Sequence, residues 1–261
     1  MGHESARPPA QEAKSTLKNQ AMNRLTQPFD VLGDDRVRRV LRRLHEEAAR
    51  QTPRLLLHYL PKLPALLLGR PIRFRSSDIS GFYADKFIAL EPAQAAFCYL
   101  AARALRAKTI VEFGTSFGVS TIWLAAAVRD GGGGKVIGTE IVPDKVARAR
   151  DHVEEAGLSQ WVEIRQGDAL VTLRDLDGDV DLLLNDGFPE LALDVVKLVA
   201  PRMRAGAAVI TDNVGTFKAN YTDYMTHMTS PESGFQTAVV PFKSGTAFSV
   251  RSTGISIQDL E

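Results

Sequence analysis

Hydrophobic and polar positions along this chain change period several times, and each change marks an element. Residues 109–113 form a short, mostly apolar run rich in branched side chains, too brief for a helix, and read as a buried strand. Gly114 and Gly118 interrupt it, and residues 119–128 resume at helical spacing. The two periods then alternate: a strand over 135–141, a helix over 143–156 with Pro143 suited to a first helical position, strands over 161–164 and 180–184, a helix over 190–203 and a strand over 207–211. Residues 92–107 precede the first strand as a helix with Ala95, Ala96, Tyr99, Leu100 and Leu105 at helical spacing. At the far end, 235–241 and 246–250 flank Lys243-Ser-Gly245 and predict an antiparallel pair. Such alternation with short connections predicts an α/β fold, its parallel strands joined by right-handed crossovers and covered by helices on both faces.

The first ninety residues follow a different pattern. Residues 1–27 are polar and poor in aromatics, which predicts a disordered tail. Residues 28–90 read as a helical lead-in or lid, and 91–261 as the main domain. Within 34–50, Val37, Val40, Leu41 and Leu44 lie at helical spacing with Arg36, Arg38, Arg39, Arg42 and Arg43 between them. These arginines are expected to form a solvated face. Nucleic-acid binding is the poorer reading, because the aromatics of a single-strand platform are missing. Residues 55–68 are the most apolar window, but His58, Pro61, Lys62 and Pro64 interrupt it and it is too short to span a membrane. It is expected to pack as a lid, a dimer contact or core.

Composition sharpens this in four respects. With 261 residues, 44% of them apolar, the chain can bury one substantial core plus an appendage. The single cysteine, Cys98, excludes an intramolecular disulfide and lies in an apolar helix pattern, where it reads as a small core residue. With no signal-peptide pattern ahead of the fold, a cytoplasmic protein is expected. The net charge of +1 hides an asymmetry: residues 1–75 hold fifteen Lys/Arg against seven Asp/Glu, and the remainder seventeen against twenty-four.

The candidate chemistry begins at the turn after the first strand. Free amides of the helix that follows would point into it, as at many anion and cofactor sites. A dinucleotide fingerprint needs G-x-G-x-x-G, whereas Gly114 and Gly118 are separated by Thr-Ser-Phe, with bulky Phe117 in the gap. A nicotinamide oxidoreductase is therefore the poorest reading. Glu112 before the turn and Glu140 near the end of the next strand suit a ligand with a cationic amino-acid part and a ribose.

Glu112-Phe-Gly-Thr-Ser-Phe-Gly-Val-Ser120, Gly138-Thr-Glu-Ile-Val-Pro-Asp144, Gly167-Asp-Ala169, Leu184-Asn-Asp186 and Ile210-Thr-Asp-Asn-Val214 resemble, in order, the motifs of class I S-adenosylmethionine-dependent methyltransferases. Within that superfamily the chain is most similar to the catechol O-methyltransferase-like, divalent-metal-dependent enzymes, over about residues 91–252. The resemblance implies a Rossmann-like, doubly wound seven-stranded sheet with a C-terminal antiparallel hairpin. It also implies S-adenosylmethionine as cofactor. Glu140 would accept the ribose hydroxyls, and Asp168 with Ala169 would face adenine, Asp168 also being placed to cap the next helix. Glu112, Ser116 and Ser120, beside Gly114 and Gly118, would hold the methionine end, with Asp186 adjoining. Asp186, Asp212 and Asn213 would bring three hard oxygen donors together for Mg²⁺ or another divalent cation. An oxygen of a small, catechol-like acceptor would then attack the sulfonium methyl in line with the departing sulfur, the metal lowering the hydroxyl's pKa.

One position departs from the family. A lysine usually lies three residues after the first metal aspartate as general base, and here that residue is Pro189. Replacements for the base are Lys218, Tyr221, Tyr224 and His227 after Asn213, and Tyr83 or Lys86 before the main domain. The departure keeps open a metal-independent methyltransferase for another natural-product hydroxyl or amine, and a non-catalytic S-adenosylmethionine-binding protein. The expected partners are a small-molecule acceptor and a second copy in a homodimer, with neither nucleic acid nor a membrane span.

Overall fold

The computed structural model describes residues 27–74, 78 and 81–252. The expected tail, apart from Gln27, lies outside these residues. After a 3₁₀ turn at Pro28–Val31, helix α1 runs over Asp35–Tyr59, and a second 3₁₀ turn leads to the short α2, Leu63–Leu67. Helix α3, Pro92–Ala104, introduces strand β1, Thr109–Phe113. The chain then alternates through α4 (Val119–Asp130), β2 (Lys135–Glu140), α5 (Pro143–Glu155), β3 (Val162–Gln166), α6 (Ala169–Thr172), β4 (Val180–Asn185), α7 (Ala192–Val199) and β5 (Met203–Thr211). Helix α8, Thr222–Thr229, precedes the hairpin of β6 (Phe235–Val240) and β7 (Thr246–Arg251).

The sheet has seven strands in the order β3-β2-β1-β4-β5-β7-β6. The first five are parallel, and β7 inserts antiparallel between β5 and β6. Alternate residues face opposite layers, as the pleat requires. Ile110, Leu182, Leu184 and Ile210 enter one core with α1, α3 and α4, whereas Val111, Leu183 and Val209 enter the other with α7 and α8. Helix α4 is buried almost throughout, Trp123 completely.

Three expectations from the pattern change. The helix read over 190–203 is broken by Pro189 and Pro201 into a 3₁₀ turn, a shorter α7 and another 3₁₀ turn, and β5 starts early, at Met203. Helix α1 continues nine residues past Arg50, through Pro53, to Tyr59. Its arginines do more than face water: Arg36 donates from Nε and Nη2 to the carbonyls of Glu155 (2.6 Å) and Glu154 (3.0 Å), and Arg43 pairs with the Glu155 carboxylate. They thereby cap the C-terminus of α5, where cations are favoured. The apolar window does not become core, since Leu56, Leu57, Leu60, Leu63, Leu67 and Leu68 are all exposed, at 44–78%.

Candidate active site

The carboxyl ends of β1 to β5 open into one cavity of about 310 Å³, roofed by the N-terminal segment and the loop before α8. This is where an open parallel sheet places its ligands. Its floor includes Gly114, Ser116, Thr139, Glu140, Gly167, Asp168, Ala169, Asp186 and Asn213.

Geometry explains the turn after β1. Gly114 has φ of +98°, and a Cβ there would lie 2.6 Å from the Asp186 carbonyl oxygen; one at Gly118, with φ of +82°, would lie 3.2 Å from Ala149 Cβ. Both glycines therefore admit neighbouring parts of the protein, and Gly114 also lines the cavity. Ser116 also adopts a left-handed conformation, φ +49°, and its N–H donates to Glu140 Oε2 at 2.9 Å. The Val142 N–H donates to Oε1 at 2.8 Å. Two amides thus clasp the Glu140 carboxylate at the cavity edge, and each oxygen keeps acceptor capacity for a hydroxyl.

The expected cofactor residues divide into two sets. Gly114, Ser116, Glu140, Asp168, Ala169 and Asp186 line the cavity; Glu112, Gly118 and Ser120 do not. Glu112 is fully buried beneath the turn, where its Oε2 accepts from Thr115 Oγ1 (2.9 Å) and Thr121 Oγ1. Burial pushes its carboxyl pKa up, against the opposing hydroxyls of Ser120, Thr121 and Thr115. Among the described residues its Oε1 has no hydrogen-bond partner. Ser120 is enclosed in the first turn of α4. Asp168 caps α6 by accepting from Leu170 N–H at 2.8 Å and still faces the cavity, so both roles weighed for it are geometrically compatible.

Asp186 and Asp212 follow β4 and β5, whose last paired residues are Asn185 and Thr211. Burial, then the charges of Asp212 and Glu112, push the Asp186 carboxyl well above the ordinary carboxylate range. Burial likewise raises Asp212, against hydrogen bonds from Ser244, Gln94, Asn213 and Thr246. Ser244 Oγ donates to Asp212 Oδ1 at 2.7 Å, Gln94 Nε2 donates to the same oxygen, and Asn213 Nδ2 donates to Oδ2 at 3.0 Å. Asn213, left-handed at φ +65°, lines the cavity; Asp212 lies behind it. Among the described residues no three His, Cys, Asp or Glu side chains cluster as a metal centre, and the donor set is two carboxyls and an amide. In charge and hardness that set fits a divalent cation, whose field would relieve the repulsion between the two carboxyls.

Of the base candidates, the cavity receives Tyr221 and Tyr83, while Lys218, Tyr224, His227 and Lys86 lie off it. Lys218 is exposed, and His227 sits half-buried near the end of α8. Lys86 is paired with Asp85. Tyr224 bonds Thr211, and burial pushes its pKa up to about 12. Burial raises the Tyr221 phenol well above its ordinary value, with Asp186 and Asp212 adding to the effect. Tyr83 is raised in the same way, first by burial and then by its hydrogen bond with Tyr59, the hydroxyls being 2.8 Å apart. Burial thus disfavours the ionised form of both phenols.

Sequence reasoning missed two features. The first is an aromatic wall of Tyr59, Phe74, Phe188 and Phe217 around Tyr83, with Phe74 ring centroids 5.6 Å from Phe188 and 5.4 Å from Phe217. The second is Lys145 on α5, the one cation among the described lining residues. Three lining carboxyls, Glu140, Asp168 and Asp186, with that single ammonium, suit a mainly cationic ligand carrying a ribose and one carboxylate.

Comparison with known proteins agrees with this geometry. Residues 111–214 match the profile of a methyltransferase domain. A catechol O-methyltransferase of Mycobacterium tuberculosis is 36% identical over 128 residues, which cover 49% of this chain and 57% of that protein. The chain thus aligns with little more than half of that relative's length. An O-methyltransferase of Bacillus cereus, solved with S-adenosylhomocysteine, superposes with a TM-score of 0.59 at 22% identity, covering 69% of this chain and 93% of its own. An S-adenosylhomocysteine-bound methyltransferase of Podospora anserina superposes at 0.61 and 16% identity over 97% of this chain and all of its own. The profile match is confined to residues 111–214, and the superpositions show that the chain shares the fold of these methyltransferase structures.

Proposed function

We propose that the protein moves a methyl group from S-adenosylmethionine to a hydroxyl of a small aromatic acceptor. The observation that carries this is one continuous cavity with carboxyls at its floor and aromatic rings at its wall. Glu140 holds the ribose, Asp168 and Ala169 face the adenine, and Asp186 lies on the sulfonium side. Phe74, Phe188 and Phe217 pack the acceptor ring, and the Tyr221 and Tyr83 hydroxyls orient its polar edge. The acceptor oxygen attacks the methyl carbon as the carbon–sulfur bond breaks, and the hydroxyl proton leaves to solvent. Positive sulfonium and negative oxygen neutralise one another, so the protein's task is alignment and exclusion of water. The test is transfer of labelled methyl to a panel of phenols, catechols and amines, beside titration with S-adenosylhomocysteine. Glu140→Ala is expected to weaken that titration by tenfold or more, on the order of a lost pair of charge-assisted hydrogen bonds. Binding without transfer to any acceptor would leave a non-catalytic cofactor-binding protein.

We infer further that Asp186, Asp212 and Asn213 hold a divalent cation, Mg²⁺ by the hardness of the donors. When bound, such an ion lowers the pKa of an acceptor hydroxyl. Chelation is then expected to abolish turnover and Mg²⁺ to restore it. Pro189 at the family's lysine position, and the hydrogen bonds already made to both Asp212 oxygens, favour the second reading, a metal-independent methyltransferase. Full turnover in chelator would select that one. The exposed leucines of α1 and α2 support a homodimer, which molar mass in solution tests.

A further inference from the structure

We propose that Lys145 binds the carboxylate at the methionine end of the cofactor, a role that rests on the S-adenosylmethionine reading above. S-adenosylmethionine carries one anionic group, and among the described residues the cavity lining carries one cation. Lys145 stands in the first turn of α5, which brings it back over the turn after β1. Its Nζ lies 3.3 Å from Ser116 Oγ and 5.3 Å from the centre of the Phe117 ring. The residue is only 6% exposed.

A buried ammonium normally has an ion-pair partner, because desolvation without one is costly. Lys145 forms no salt bridge among the described residues. Of the two carboxylates whose fields reach it, Asp85 is paired with Lys86, and Glu140 accepts backbone N–H groups from Ser116 and Val142 and forms no ion pair with it. Desolvation accordingly holds the Lys145 pKa below the ordinary lysine value, opposed by the fields of Glu140 and Asp85 and reinforced by Lys86. The ammonium is therefore built for a partner that arrives with a ligand. Ser116 fixes which end of the ligand that is: its N–H holds Glu140 on the ribose side, and its hydroxyl faces Lys145, so Lys145 adjoins the part of the cofactor beyond the ribose.

The experiment compares two ligands on three proteins by calorimetric titration. S-adenosylhomocysteine carries the carboxylate; its decarboxylated analogue keeps the amine, sulfur and nucleoside and lacks only that group. In the wild type the first is expected to bind more tightly than the second. Lys145→Met is expected to weaken S-adenosylhomocysteine about tenfold to a hundredfold, the scale of one charge-assisted hydrogen bond, and to change the analogue less than threefold. Lys145→Arg is expected to recover most of the loss. Equal weakening of both ligands, or none, would overturn the proposal. Retained analogue binding reports that the Lys145→Met variant is folded; should it be lost, Lys145→Arg carries the test, with selective retention of S-adenosylhomocysteine binding supporting the role and equal loss of both ligands overturning it. A wild type that binds neither ligand would instead overturn the cofactor reading.

Discussion

Gly114 shows how tightly the site is constrained at single residues. Its positive φ and its approach to the Asp186–Gly187 backbone leave no place for a methyl group, so Gly114→Ala must displace the β1 turn or the β4 tip. The expected cost is about 2 kcal/mol or more in chemical denaturation, from left-handed strain plus the clash, with loss of S-adenosylhomocysteine binding. Tyr221→Phe is expected to behave differently. Removing one hydroxyl from a ring that remains buried should cost about 1 kcal/mol of stability and leave cofactor affinity unchanged. Its effect should fall on kcat, lowered about tenfold if the phenol aligns the acceptor. The acidic positions were legible in the sequence because each closes a strand, and a strand end in this fold can be located from a short branched run and the turn behind it. Glu112 was misjudged for a local reason. Its side chain alternates to the buried side and is taken up by Thr115 and Thr121, a distinction that motif spacing does not carry.

At the scale of elements, two buried groups predict how the packing responds to acid. Asp181, near the start of β4, accepts from the N–H groups of Lys108 (2.7 Å) and Thr109 (2.9 Å) and pairs with Arg204. Burial alone would raise its pKa, but these bonds prevail and lower it. A depressed carboxyl contributes stability that is full above its unfolded value and lost as pH falls through the folded one. Asp181→Asn is therefore expected to be destabilised at neutral pH, with the gap to wild type closing below about pH 4. His45 acts at higher pH. Burial pushes its pKa down to about 4, and its Nε2 accepts from the Trp123 indole at 3.2 Å. Its contribution is complete above about pH 6.5, the unfolded value, and drains away as pH falls towards 4. Thermal melts of His45→Gln should show a flatter profile across that window. The His45–Trp123 bond joins α1 to α4, and it accounts for the limit of sequence reading here: the strands announced themselves by composition, whereas this docking of α1 rests on residues 78 positions apart. Lys145 could have been found, since side chains in the first turn of a helix following a parallel strand lie near the strand tips; reading α5 for its apolar positions alone passed over it.

For the whole molecule, the sheet and its flanking layers form a base to which the N-terminal segment is attached. Trp123, fully buried where α1, α3 and α4 meet, anchors that attachment, and Trp123→Ala is expected to cost about 3–5 kcal/mol by chemical denaturation. The leucines on the outer side of α1 and α2 are left uncovered by the other described residues. Leu57→Glu with Leu60→Glu should leave the melting temperature of the fold within a few degrees and, if this face joins two copies, convert a dimer to a monomer by light scattering. The overall architecture was readable from the alternation of periods; the aromatic wall was not, because Tyr59, Phe74, Phe188 and Phe217 come from four separate segments without shared spacing.

That wall also divides the chain by inheritance. Tyr59, Phe74 and Tyr83 lie before the first strand, whereas Phe188, Phe217 and the residues proposed to face the nucleoside all follow it. A graft exchanging residues 28–90 between related proteins should therefore shift which phenol is preferred, while Phe188, Phe217 and Tyr221 keep their share of the acceptor wall and the proposed donor side stays unaltered.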